Sequence, residues 1–191
     1  MMRIALFGGS FNPPHNGHVA IAQAVLSQDL ADEVWLLVSP QNPLKLQADL
    51  APEALRLRWT QAAVAGIPHV IASDCEFHLP RPSYTCQTLR HLRAGFPQHE
   101  FILCIGADNW TLFPRWRNPE EILAHHRLIV YPRRGHALPE PTDRITPLHC
   151  TLHDISSTEI RRRLQNGESI EGLVPDTLSL TLPKEWTATT P

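Results

Sequence analysis

The sequence has no apolar run long enough to cross a membrane and no opening segment of the kind that directs secretion. It starts Met1-Met2-Arg3 and reaches Gly8-Gly9 after a short apolar stretch, whereas a membrane span needs about 20 apolar residues. The four cysteines are scattered without a C-x-x-C pair, which argues against a disulfide framework and against paired zinc ligands. We therefore expect a cytoplasmic protein with reduced thiols and no membrane association.

An excess of charge of one sign is also lacking. The chain has 17 Lys and Arg against 19 Asp and Glu, a formal net charge of −2 that provides no general attraction for a nucleic-acid polymer. Any anion site must therefore be built locally. The 191 residues suffice for one core, and no internal repeat is visible. We predict a single domain over residues 1–180 and a flexible tail over 181–191.

Short β-rich runs alternate with amphipathic stretches along the chain. Apolar runs at 3–7, 34–38 and 101–105 are typical of buried strands, and helical spacing of apolar residues follows over 17–26. This alternation predicts an α/β fold, Rossmann-like and doubly wound, with a mainly parallel sheet and helices on both faces. Such sheets bind ligands at the carboxyl ends of their strands. Over 178–182 the apolar alternation instead suggests a strand.

The first informative segment, residues 8–18, reads GGSFNPPHNGH and joins the first predicted strand to the first helix. Gly8 and Gly9 permit close backbone approach to a ligand, and amides at a helix start favour anions. His15 and His18 flank the predicted helix start, so both imidazoles could face one anion. The alternative is a turn with two surface histidines. A dinucleotide-binding G-x-G-x-x-G spacing is absent.

The second segment, residues 155–161, reads ISSTEIR. Ser156 and Glu159 have the spacing of a capping box, which predicts a helix start. Arg161 could add a guanidinium to the amides of that helix start and so bind a polyphosphate. The same pattern fits a capped surface helix with solvated arginines, and the residues alone leave both interpretations open.

Both segments resemble motifs of the HxGH nucleotidylyltransferase superfamily. The resemblance implies that His15, His18 and Arg161 are catalytic and stabilise the phosphates of ATP during adenylyl transfer, with Ser157 helping to hold them. It also implies Mg²⁺ that is bound through the ATP phosphates, without a metal site of the protein's own. The other residues of these segments that are expected to contact ATP are Gly8, Gly9, Ser10, Phe11, Ile155 and Ser156.

Further segments resemble the bacterial nicotinate-nucleotide adenylyltransferases over most of residues 3–175, among them PSYT at 82–85, GAD at 106–108 and FPRW at 113–116. The resemblance implies adenylyl transfer from ATP to nicotinate mononucleotide, which gives nicotinate adenine dinucleotide and pyrophosphate in NAD biosynthesis. Gly106 and Asp108 would meet the adenosine side of ATP. The residues implied for the acceptor are Lys45, Tyr84, Thr85, Trp116, Arg117 and Arg133.

Alternatives remain on the acceptor side. Trp116 could be an ordinary core residue, Thr85 could cap a helix, and Lys45 or Arg133 could be solvated cations. The acceptor could instead be another mononucleotide such as nicotinamide mononucleotide, or the chain could bind nucleotides without catalysis. The sequence is also compatible with an oligomer.

Overall fold

The computed structural model describes residues 1–40, 50–151 and 154–189. Its strands, in chain order, are β1 (Arg3–Gly9), β2 (Glu33–Val38), β3 (Val70–Ser73), β4 (Glu100–Gly106), β5 (Leu128–Tyr131) and β6 (Ile145–Pro147). Within the described ranges these six strands form one sheet in the order β3-β2-β1-β4-β5-β6, and every neighbouring pair is parallel. The structure thus confirms the predicted doubly wound, Rossmann-like sheet.

Helices connect the strands and follow the last one. They are α1 (Asn16–Ser27), α2 (Glu53–Val64), α3 (Thr85–Gly95), α4 (Ala107–Leu112), α5 (Pro119–His125), α6 (Ser157–Gln165), α7 (Asp176–Ser179) and α8 (Leu182–Thr189). Short 3₁₀ turns lie at Cys75–His78 and Phe113–Arg115. In the part of the chain that the structure describes, none of the helices has the length and apolar character of a membrane span.

The central strand β1 shows how the two faces of the sheet are covered. Its side chains alternate between faces, as strand geometry requires. Ala5 and Phe7 pack with buried residues of α1 and α2, whereas Ile4 and Leu6 pack with buried residues of α3 and α5. All four strand residues are buried. The helices therefore lie on both faces, as predicted.

The C-terminal segment differs from the flexible tail that the sequence predicted over 181–191. The structure has a helix over Leu182–Thr189, in which Leu182 and Trp186 share one face and are buried. Pro183 lies in the first turn, where its missing N–H is not needed. Trp186 stacks on Trp59 of α2, with ring centroids 6.1 Å apart. The contact between Trp186 and α2 thus accompanies a helix in a segment whose composition suggested a flexible tail.

The strand predicted over 178–182 was wrong as well. Leu178 and Leu182 are buried, but Leu180 between them is 80% exposed, because it lies in the turn between two helices. The buried pair belongs to a third apolar cluster, in which α2, α6, α7 and α8 pack together beside the sheet. The apolar alternation over these five residues resembled a strand because α7 contributes the buried Leu178 and α8 the buried Leu182.

The contact between Trp186 and Trp59 generates a stability prediction. We expect Trp186→Ala to lower the free energy of unfolding by about 3–5 kcal/mol, because it removes a buried aromatic side chain and leaves a cavity. Urea unfolding followed by circular dichroism measures this. Leu180→Ala is the matched control on an exposed neighbour, with an expected change of about 0.5 kcal/mol or less. Equal effects of the two variants would contradict the packed C-terminal helix.

Candidate active site

The predicted site residues gather at the carboxyl edge of the sheet, where the strand order reverses between β1 and β4. An open cleft of about 700 Å³ lies there, which we call the histidine cleft. The predicted residues that line it are Gly8, Gly9, Ser10, Phe11, His15, His18, Asp108, Arg133, Ile155, Ser156, Ser157 and Arg161. The structure therefore brings the two sequence segments, about 140 residues apart in the chain, into one cleft.

A second cavity of about 190 Å³ adjoins the first, and we call it the tryptophan pocket. The predicted residues that line it are Tyr84, Thr85, Trp116 and Arg117. Among the described residues, four line both cavities: Gly8, Gly9, Asn109 and Tyr131. Ligands bound in the two cavities would therefore lie next to each other, beside these shared residues, which we call the common wall. Of the predicted acceptor residues, Arg133 lies in the histidine cleft instead, and Lys45 lies outside the described residues.

The two histidines of the first segment form a stacked pair at the start of α1. Their ring centroids are 3.6 Å apart at an angle of 27°. The backbone N–H of His15 donates to Nδ1 of His18 at 3.1 Å. Because that nitrogen accepts, a neutral His18 ring carries its proton on Nε2 and can donate from there. Phe11 lies edge-on to His18, with centroids 5.0 Å apart, and fixes the ring from the side.

The second segment is fastened to the first by direct hydrogen bonds. Ser157 Oγ donates to the carbonyl oxygen of Pro13 at 2.8 Å, and Arg161 Nη1 donates to that of Asn12 at 3.0 Å. Ser156 caps α6, since its Oγ accepts from the backbone N–H of Glu159 at 3.1 Å. The predicted helix start is therefore present. Its first residues, Ser156, Ser157 and Thr158, line the same cleft as the histidines.

Glu159, the second residue of the predicted capping box, forms ion pairs with two arginines of α6. Its carboxylate accepts hydrogen bonds from Arg162 and Arg163, one turn further along α6. These ion pairs lower the pKa of Glu159 to about 2, chiefly through the hydrogen bonds from Arg162. Two of the three consecutive arginines thus belong to the outer surface of the helix, and Arg161 alone of the three lines the cleft.

Asp108, just after β4, and Arg133, just after β5, lie close to each other beside Gly106. Asp108 Oδ1 lies 3.7 Å from Arg133 Nε, close enough for an ion pair but too far for a hydrogen bond. Both atoms are buried and have no hydrogen-bond partner among the described residues. Buried polar atoms usually have a hydrogen-bond partner, and both residues line the cleft, so we expect them to bind a ligand there.

The tryptophan pocket combines an aromatic wall with a helix start. Trp116 is half-buried, packs against Phe113 with ring centroids 5.4 Å apart, and lines the pocket. Thr85 is the first residue of α3, and Tyr84 holds the cap position in its place. The Arg117 guanidinium lies 4.8 Å from the centroid of the Tyr84 ring. The pocket therefore offers an indole face, helix amides and a cation to a flat anionic ligand.

Sequence reasoning missed several lining residues. Asn109 and Tyr131, in the common wall, lie just after β4 and at the end of β5; their position at strand ends was the available signal. Burial raises the pKa of Tyr131 to about 12. Glu76 and Thr88 line the tryptophan pocket, and Glu76 Oε1 accepts from Thr88 Oγ1 at 2.9 Å. Burial raises the pKa of Glu76.

Comparison with known proteins agrees with this geometry. The cytidylyltransferase-like family model matches residues 6–163. A protein of Bacteroides fragilis named probable nicotinate-nucleotide adenylyltransferase is 44% identical over 170 residues, which is 88% of this chain and 85% of that protein. One of the same name in Cytophaga hutchinsonii is 43% identical, with 91% of each chain covered. The chain is thus a nucleotidyltransferase of the cytidylyltransferase-like class. Within that class it belongs to the nicotinate-nucleotide adenylyltransferase family.

A solved structure supports the fold. The nicotinic acid mononucleotide adenylyltransferase of Plasmodium falciparum, complexed with NaAD, matches 98% of this chain and 95% of its own. The TM-score is 0.79 at 17% sequence identity. At that sequence identity the similarity shows a common fold. The geometry of the site is that of this chain's own residues.

Gly106 generates a prediction for the histidine cleft. A Cβ atom there would lie 2.3 Å from Asp108 Oδ1 and 3.1 Å from both Tyr131 and Arg133. Gly106→Ala is therefore expected to displace Asp108 and weaken ATP binding about tenfold, or roughly 1.4 kcal/mol, measured by calorimetry. Gly95→Ala is the control, because no atom lies within 4 Å of its added methyl group. Unchanged affinity in folded Gly106→Ala would remove Asp108 from the ligand site.

Proposed function

We propose that this chain transfers the adenylyl group of ATP to nicotinate mononucleotide, giving nicotinate adenine dinucleotide and pyrophosphate. The observation that carries the proposal is the wall common to the two cavities. A transfer between two nucleotides needs one site for each, with the reacting phosphates adjacent. The histidine cleft has the donors for a polyphosphate, and the tryptophan pocket has the surfaces for a pyridine ring and its carboxylate.

The histidine cleft binds ATP in this proposal. His18 donates from Nε2, and His15 stacked beside it adds a second imidazole to the phosphates. The N-terminal amides of α6 and the Arg161 guanidinium bind the part of ATP that leaves as pyrophosphate. These groups are held in place before the substrate arrives, by Asn12 and Pro13 on the opposite loop. Such preorganised donors stabilise charge that develops in the transition state.

The tryptophan pocket binds the acceptor. The Trp116 indole faces the electron-poor pyridine ring, and Thr85 with the first amides of α3 meets the carboxylate. Arg117, held over Tyr84, adds positive charge on the same side. The predicted roles of these residues remain predictions, as does a phosphate contact for Lys45.

The chemical step needs no general base. A phosphate oxygen of nicotinate mononucleotide, already anionic at neutral pH, forms a bond to the α-phosphorus of ATP. The bond from that phosphorus to the oxygen bridging to the β-phosphate breaks, and its electron pair leaves with pyrophosphate. Rate enhancement therefore comes from alignment across the common wall and from charge stabilisation by His15, His18 and Arg161.

We propose that Mg²⁺ enters the site bound to the phosphates of ATP. The described residues contain no group of three or more His, Cys, Asp or Glu side chains placed to hold a metal ion. The histidines and Arg161 suit phosphate oxygens, while Asp108 adds a carboxylate to the lining. Phosphate oxygens and water would complete the shell of Mg²⁺, which neutralises charge on the reacting phosphates when bound.

We place the activity in the cytoplasm. The four cysteines, all within the described ranges, are free thiols, and three of them have a pKa raised by burial: Cys75, Cys104 and Cys150. Thiols of this kind behave as small apolar side chains in a reducing compartment.

The first test compares acceptors. Pyrophosphate release from ATP and Mg²⁺ is measured with nicotinate and with nicotinamide mononucleotide, and the dinucleotide product is identified by chromatography. We expect kcat/KM to favour the nicotinate form at least about a hundredfold, since its carboxylate meets donors that the amide cannot satisfy equally. EDTA should stop the reaction.

Other outcomes of this assay have definite meanings. Equal or reversed preference would keep the adenylyl transfer and reject the assignment of the tryptophan pocket. ATP binding without release from either acceptor would reject the catalytic proposal. Full activity in EDTA would reject the role of Mg²⁺.

His18 provides the second test. His18→Ala should lower kcat about a hundredfold to a thousandfold, because it removes one donor to the reacting phosphates. The exposed His91, on α3, supplies the control variant His91→Ala, which should retain activity. Thermal unfolding of both variants shows whether the fold is intact. Unchanged turnover in His18→Ala would exclude this histidine from catalysis.

A further inference from the structure

Arg56 is a fully buried arginine behind the two cavities. It lies in the first turn of α2 and is 1% exposed. Its guanidinium donates to four backbone carbonyl oxygens: Nε to Ala51 at 2.9 Å, Nη1 to Ser10 at 2.6 Å and Ser39 at 2.8 Å, and Nη2 to Pro40 at 3.1 Å. One side chain thus joins the segments that follow β1, follow β2 and precede α2.

The four acceptors that Arg56 has among the described residues are backbone carbonyl groups and therefore neutral. No carboxylate lies within ion-pair distance of its guanidinium among the described residues. Burial lowers the pKa of Arg56, and the field of Glu53 only partly offsets it. A buried charge whose described partners are all neutral is costly, and here the four hydrogen bonds to carbonyl groups offset that cost. The location of these carbonyl groups therefore indicates which parts of the molecule Arg56 holds in place.

The carbonyl groups that Arg56 binds belong to the walls of both cavities. Ser10 lines the histidine cleft, whereas Ser39 lines the tryptophan pocket. A single nitrogen, Nη1, binds both. A second contact supports the same junction, since the backbone N–H of Ala51 donates to Asn12 Oδ1 at 3.1 Å. Movement of Arg56 would therefore shift the two walls relative to each other.

We propose that Arg56 is a positioning residue that holds the ATP wall and the acceptor wall in register for the transfer. The inference rests on the proposed function. Arg56 is not itself a lining residue of either cavity and acts through the Ser10 and Ser39 carbonyl groups. Its planar fork of five donors suits carbonyls in several directions, and the single ammonium of lysine does not reproduce that geometry.

The test uses Arg56→Lys and Arg56→Met. Lysine keeps the charge but loses the fork, so we expect kcat/KM about tenfold lower, with KM raised for both nucleotides. Methionine loses charge and donors, and we expect about a hundredfold loss, the scale of a misplacement near 1 Å. Arg58→Lys and Arg58→Met, at a 67% exposed side chain of the same helix, are matched controls and should retain activity.

The pattern of KM values separates positioning from mere stability. A purely structural arginine would lower the melting temperature and the active fraction, which reduces apparent kcat and leaves both KM values unchanged. That result, or a rise in only one KM, would overturn the proposal. Calorimetric titration of Arg56→Lys with ATP, at a temperature well below its unfolding, gives a readout that does not depend on turnover. We expect a dissociation constant about tenfold above that of the unaltered chain.

The two proposals can fail separately. If the unaltered protein binds ATP but releases no pyrophosphate, the proposed function fails, and the ATP titration still tests Arg56. If the unaltered protein is active and Arg56→Lys matches it in both KM values and in ATP affinity, the positioning role fails alone.

Discussion

The parallel pairing of β1 with β4 is the constraint on which the rest of the molecule depends. Phe7 pairs with Cys104, so Gly8-Gly9 and Gly106 leave the sheet side by side at one edge. The chain turns outward in opposite directions from these two strands, which leaves a crevice between their connections. Both cavities open in that crevice. The order of the strands therefore determines where the site lies, whichever side chains line it.

The crevice becomes a site only when distant segments close around it. Ser157 and Arg161 bind carbonyl groups of the first loop. Further along, Asn16 Nδ2 donates to the carbonyl oxygens of Gly172 and Val174, at 2.9 and 3.2 Å, and so anchors the start of the histidine-bearing helix. Segments that are far apart in the chain thus keep fixed positions around the cleft, because hydrogen bonds join them directly.

The local structure of residues 8–18 and 155–161 could be predicted from the sequence, because the interactions that form it involve residues close together in the chain. A glycine pair between strand and helix, two histidines at the helix start and a serine cap each leave a signal within a few residues. Arg56 and Glu76 leave none, since an arginine or a glutamate in a helical stretch normally faces water. Trp186 was missed for a related reason: its partner Trp59 is 127 positions away, and no local rule foresees that contact. The strand β6, only three residues long, was also not predicted.

The anchoring of Asn16 by Gly172 and Val174 has a consequence for the order of events during synthesis. The glycine-rich loop and both histidines leave the ribosome early, yet the groups that hold them in place come from the last quarter of the chain. A nascent chain with only the first four strands exposed carries the histidines without their supports. A nucleotide that binds only the completed site should therefore stabilise only molecules whose C-terminal segment has already docked against the first loop.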